Sequence, residues 1–256
     1  MKFHEMTSPQ LAAIDREQTL AVIPIAAVEQ HGPHLPTGTD RIICTAVAEQ
    51  LEASLPERVL LTPTIWLGAS SHHLRFGATL DSQLPHFVNT LCDAVRSLLG
   101  DGYKRILLLN GHGGNIDPMR MALRQIQDEL GFADHLLAAG CYWSVVDDYL
   151  RTALDGDHKF VGHACEFETS LILHLRPELV DLEQIRSAGP LVTDNIDGVF
   201  VCRDMRHRTA EGCTGRPDLA TAEKGERLFA EIGTRLVTLA TKLLNEPLAR
   251  EYKEFI

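Results

Sequence analysis

Four short apolar runs constrain this 256-residue chain more than any other feature it has. They lie at 20–28, 58–66, 104–110 and 135–143, and the segment 106–109 is apolar throughout. A strand that is apolar on both faces must be covered on both, so the runs predict a sheet with helices above and below it. Helical spacing fills the gaps. Ile43, Val47 and Leu51 share a face of a helix capped by Thr39, with Asp40 in its first turn. Phe87, Leu91, Val95 and Leu98 form a stripe across 83–100, and Met119, Leu123 and Ile126 form another across 116–130. Leu228, Ile232, Leu236, Leu239 and Leu243 mark a closing helix. A weaker strand is expected at 198–202 and a further helix from Glu168 to Leu175. Strand followed by helix, repeated, predicts an α/β fold with a mostly parallel central sheet. No repeat, low-complexity tract or linker interrupts it, so residues 1–256 read as a single domain.

Composition narrows the partners. A formal charge of -11 disfavours nucleic acid and anionic membranes. The opening residues lack the apolar core of a signal peptide, and no segment is long and apolar enough to span a bilayer. The six cysteines show no C-x-x-C spacing and read as reduced thiols, so a cytoplasmic location is expected. Cys165 lies in a polar cluster, but a small buried residue is its simplest reading.

Ligand chemistry concentrates where strands end, which is where parallel sheets collect ligands. Glu29, His31 and Asp40 follow the first apolar run, separated by Gly32, Pro33, Pro36 and Gly38, which break regular structure. His112 stands among glycines after the third run, where the small neighbours, Gly113 among them, leave room for a ligand. A third segment holds His163, Cys165, Glu166 and Glu168. Carboxylate with imidazole is the donor set of zinc, manganese or iron. Glu29, Asp40 and Glu168 would largely neutralise two divalent cations, with His31 and His112 as neutral donors. No serine lies in a G-x-S-x-G context and no Walker-type loop is present, so hydrolysis by metal-activated water is the economical expectation.

The motifs Val28-Glu29-Gln30-His31-Gly32-Pro33-His34-Leu35-Pro36 with Asp40, then Asn110-Gly111-His112-Gly113-Gly114-Asn115, then His163 through Glu168-Thr169-Ser170, together resemble the creatininase (creatinine amidohydrolase) family. The similarity runs from about residue 15 to about residue 245. It implies a three-layer α/β/α sandwich, a dinuclear zinc or manganese centre, hydrolysis of a carbon–nitrogen bond other than a peptide bond in a small-molecule amide, and a homohexamer. Carried over by position, Asp40 bridges the metals, Glu29 and His112 hold one, His31 holds the other, and Glu168 completes the set. His163 is expected as a proton shuttle, with Glu166 as a second candidate to protonate the leaving nitrogen. A formamide hydrolase, a small-peptide hydrolase and a non-catalytic metal-binding protein of the same fold are the alternatives.

Departures from the family pattern bear on the substrate. Creatininase has a tyrosine and a metal-binding glutamate where this chain has Gly113 and Gly114, so that duty must pass to Glu168 or, failing it, Glu166. In the stretch 70–79, His72 replaces a glutamate that relatives usually show, and Gly77-Ala78 replaces Pro-Gly. Ser71, His73 and Gly113 are the expected substrate contacts. Arg216 stands where relatives commonly have aspartate, and creatinine is a poor choice of substrate.

Overall fold

The computed structural model describes residues 1–131, 134–157, 159–189, 196 and 199–248. The chain runs through α1 (Ser8–Ala12), β1 (Leu20–Ile25), α2 (Thr39–Ser54), β2 (Val59–Leu61), α3 (Leu84–Gly100), β3 (Arg105–Asn110) and α4 (Ile116–Leu130). It continues through β4 (Leu136–Cys141), α5 (Asp147–Ala153), α6 (Glu166–Leu175) and α7 (Ala222–Asn245). The four strands are all parallel, in the order β2-β1-β3-β4.

Period-two alternation divides the core into two. Leu20 and Val22 of β1, Val59 and Leu61 of β2, and Leu107 and Leu109 of β3 face α2, α6 and α7. Ala21, Ile23 and Ile25, with Leu60, Ile106 and Leu108, face α3 and α4. The result is a three-layer α/β/α sandwich. On α7 the buried stripe Leu228, Ile232, Leu236, Ala240 and Leu244 recurs every fourth residue. Truncating one of its leucines to alanine would cost about 2–5 kcal/mol.

Differences from expectation have local causes. The strand expected at 58–66 stops at Leu61, two residues before Pro63, which has no N–H for a ladder. The run at 20–28 leaves the sheet after Ile25. Thr39 is not the cap of α2. Gly38 holds that position, and the Thr39 hydroxyl donates back to the Pro36 carbonyl at 2.7 Å. The helix expected from Glu168 starts at Glu166. Residues 199–202 form no strand, and Gly198 lies outside the described residues. Among the described residues no helix is long and apolar enough to cross a membrane.

Candidate metal centre

Register places the site. Ile25 of β1 pairs with Asn110 of β3, so the segments that follow leave the same edge of the sheet side by side. The Asn110 side chain grips the next turn twice, accepting from the His112 N–H at 3.0 Å and donating to the His112 carbonyl at 2.6 Å. On the first loop Gly32 takes φ +62, and a Cβ there would lie 2.8 Å from Cβ of Cys213. Asp40 and Glu168 stand in the first turns of α2 and α6, where exposed N–H groups favour negative charge.

Five expected ligands converge. Glu29, His31, Asp40, His112 and Glu168 are each no more than 6% exposed. Asp40 spans two imidazoles, with Oδ1 3.1 Å from Nε2 of His31 and Oδ2 3.0 Å from Nδ1 of His112. His112 Nδ1 is also 3.2 Å from Oε1 of Glu29, and His31 Nε2 is 4.0 Å from Oε1 of Glu168. The far nitrogens are committed elsewhere. His31 Nδ1–H donates to the Glu29 carbonyl at 3.0 Å, and His112 Nε2–H donates to the Ala69 carbonyl at 3.0 Å. Each ring therefore turns its other nitrogen toward the carboxylates, the arrangement that orients a metal-binding histidine.

Both oxygens of Glu29, Oδ2 of Asp40 and Oε2 of Glu168 are buried without a hydrogen bond. An unpartnered buried polar atom costs about 1–3 kcal/mol, so this surplus of negative charge calls for cations. Proton affinities report the same surplus. Burial opposes charge on His31, yet Asp40, Glu168 and Glu29 hold its pKa at about 10. Burial also opposes charge on His112, and Glu29 and Asp40 raise its pKa well above the usual range. Burial, with Asp40 adding to it and His31 opposing, lifts Glu168 to about 7. The donors fit divalent cations.

His163 joins the cluster from a loop. Its Nε2–H donates to the Gln30 carbonyl at 2.7 Å, and Nδ1 lies 3.6 Å from Oε1 of Glu29. Burial and the neighbouring His31 lower its pKa to about 3. Glu166 requires a correction. Its carboxylate accepts from the N–H groups of Asp155 (2.8 Å) and Gly156 (2.9 Å) and pairs with the Lys224 ammonium, so it is not free to serve the cluster. Residues two apart on a helix point about 200° apart, and α6 begins at Glu166. His163 precedes that helix across Ala164, whose φ is 48°, so it shares no helical face with Glu166.

Among the expected substrate contacts, His73 is buried with Nε2 3.3 Å from Oε1 of Glu29. Ser71 is exposed, and it is Ser70 that reaches His112 Nε2, at 3.3 Å. Gly113 is exposed with open space where a side chain would stand. His34, within the first motif, is buried and bonded through Nε2 to the Thr169 hydroxyl at 2.9 Å. Cys165 is a buried thiol pushed up to about 12 by burial, and all six cysteines are unpaired. Sequence reasoning missed Gln30. The Gly32 N–H donates to its Oε1 at 3.0 Å, which orients its amide to donate from Nε2 to Nδ1 of His73 at 2.8 Å. Its place inside the first motif was the only signal.

Known proteins share this arrangement of chain. The family model described as creatinine amidohydrolase matches residues 4–240. A mycofactocin precursor peptide peptidase of Mycobacterium tuberculosis is 31% identical over 240 residues, 88% of this chain and 86% of that protein. The creatinine amidohydrolase of Pseudomonas putida is 30% identical over 223 residues, 81% of this chain and 83% of that one. A crystal structure of creatininase superposes with a TM-score of 0.83 at 27% identity, over 96% of this chain and 98% of that chain. Other solved creatininases include a Zn-Zn type and a manganese form. With the parallel sheet, the converging donors and the match over most of its length, this chain belongs to the creatininase family of carbon–nitrogen hydrolases.

Proposed function

We propose that the protein hydrolyses the C–N bond of a small amide at a centre of two divalent cations, zinc or manganese. The observation that carries this reading is Asp40, one oxygen toward His31 and the other toward His112, amid buried carboxylate oxygens with no partner. Glu29 and the Nδ1 of His112 would hold one cation, the Nε2 of His31 and Glu168 the other, with Asp40 shared between them. When bound, such a pair lowers the pKa of water and polarises the carbonyl it faces.

The chain's own groups manage the proton. His163 has its Nε2–H fixed by the Gln30 carbonyl, which leaves Nδ1 to take a proton and pass it to the leaving nitrogen. Burial and the neighbouring His31 lower its pKa, which keeps the ring neutral at rest. His73 offers Nε2–H beside Glu29, and the gap at Gly113 admits substrate. Ser71, exposed on the turn that carries His73, is the third expected contact.

A short peptide is the second reading for the substrate, supported by the 31% identity to peptide peptidases. We further propose a cytoplasmic homo-oligomer, a hexamer by family resemblance. Exposed apolar side chains at Trp66, Leu67, Leu74, Leu80 and Leu84 support a subunit interface. The test is elemental analysis of purified protein, then a panel of creatinine, cyclic amides, formamides and short peptides with zinc or manganese. The expected outcome is two metals per chain and turnover of one amide class. Two metals with no turnover of any class would favour a non-catalytic metal-binding protein.

A further inference from the structure

The centre contains a histidine with no role assigned so far. His72 lies on the helical turn Ser71–Phe76, where the Arg206 guanidinium packs 3.9 Å from the centre of the Phe76 ring. Its imidazole contacts those of His73 and His112, with ring centroids 4.3 and 5.8 Å away. One donor atom from each of Glu29, His72 and His112 lies within 4.8 Å of the other two, the separation at which a cation fits between them.

Two observations single out His72 over its neighbour. The Gln30 amide donates to Nδ1 of His73, so the neutral His73 ring must carry its proton on Nε2, the nitrogen that faces Glu29. A protonated nitrogen cannot coordinate. Among the described residues His72 makes no hydrogen bond through either ring nitrogen, so its lone pair is uncommitted. The second observation is Gly114. A Cβ there would collide with the Ala69 carbonyl and lie 2.8 Å from Cε1 of His72. Glycine at 114 therefore leaves the space beside His112 to the His72 ring.

We propose that His72 is a metal ligand, and that with Glu29 and His112 it makes one cation position richer in nitrogen than the other. That position has two imidazoles; the one at His31 and Glu168 has one once His163, which lies within reach of both, is kept for the proton. Imidazole donors favour zinc and carboxylates favour manganese, so the two positions differ in metal preference. The inference rests on the dinuclear reading above.

Calorimetric titration of chelator-treated protein with zinc, and separately with manganese, tests it. The wild type should take up two zinc ions. His72→Ala should weaken one step about 10-fold or more and leave the other unchanged. His72→Gln, close in size but a poor donor, should repeat that loss if alanine disturbs the turn. His72→Glu should recover the weakened step and shift it toward manganese, which a mere packing role would not do. An His72→Ala titration superimposable on the wild type, or a loss that glutamate does not recover, overturns the proposal. A wild type that takes up no zinc overturns the dinuclear reading itself.

Discussion

Glu166 and Glu168 stand two residues apart in the first turn of α6, both nearly sealed from solvent, in contrasting company. Glu166 has an internal cation. Lys224 of α7, itself 3% exposed, pairs with it, while two backbone N–H groups occupy its oxygens. Glu168 has no ammonium or guanidinium beside it among the described residues; it has the His31 imidazole at 4.0 Å and the Ala164 N–H, and its Oε2 has no partner. A buried carboxylate whose counter-ion is built into the chain is a structural tie between helices. One with no cation of the chain beside it is suited to bind one. The contrast separates architecture from function within a single helical turn.

The sharpest way to break the comparison is to empty the second cluster. Asp40→Ala removes the carboxylate that sets one oxygen against His31 and the other against His112. It should abolish stoichiometric metal binding and cut hydrolysis by about 10³-fold or more, since metal-ion stabilisation is worth several kcal/mol and about 1.4 kcal/mol is tenfold. The fold should survive, because the substitution removes a carboxylate from a crowd of them. Elemental analysis beside far-ultraviolet circular dichroism checks both halves; an unfolded variant would mean that Asp40 is a structural residue.

The first cluster should respond the other way. Lys224→Met strands Glu166 as an uncompensated buried charge, and breaking such a pair costs about 3–5 kcal/mol. Denaturant melts of the metal-free protein should show that loss, and adding Glu166→Gln should recover part of it. Zinc stoichiometry of the folded variant should remain that of the wild type. If Lys224→Met instead abolished metal binding with stability intact, the division between the clusters would be false.

Much of this contrast is legible in the amino-acid sequence, and part is not. The two-sided apolar runs at 20–25 and 105–110 read directly as interior strands, because two cores must meet there. Glu29, His31, Asp40 and His112 are legible as a group, because ligand types at strand ends have few other uses. The choice between Glu166 and Glu168 is legible only through the family motif, not from residue type or spacing. It depends on where α6 begins and on the φ of 48° at Ala164, neither of which has a sequence signature. The partner of Glu166, Lys224, is 58 positions away. Gln30 and Ser70 escape notice because only burial distinguishes them from ordinary loop polar residues.

Glu168→Gln sharpens the comparison by a smaller amount. In the wild type, burial lifts the Glu168 pKa from 4.5 to about 7, so its ionisation above neutrality works against the fold. Glutamine cannot ionise. Metal-free Glu168→Gln should therefore be more stable than wild type at pH 8, by about 1–3 kcal/mol. With zinc present the order should reverse, because the wild type gains binding energy that the variant cannot match. Thermal melts with and without chelator give both comparisons, and a variant less stable in both would assign Glu168 to the structural class with Glu166.

The pH dependence of the metal-free protein is the mildest test. His31 holds its proton up to about pH 10 in the folded state against an ordinary 6.5, so its contribution is full below 6.5 and fades as pH rises toward 10. Glu168 contributes in the same direction earlier, between 4.5 and about 7. The melting temperature without metal should therefore fall by several degrees from pH 6 to pH 9, each kcal/mol being worth about 2–4 °C in a chain of this size. Zinc should flatten that slope, since a bound cation takes over from the proton as partner to the carboxylates. A metal-free protein whose stability is level across this range would mean that His31 does not feel the negative charge around it, and the cluster would lose its claim to be short of cations.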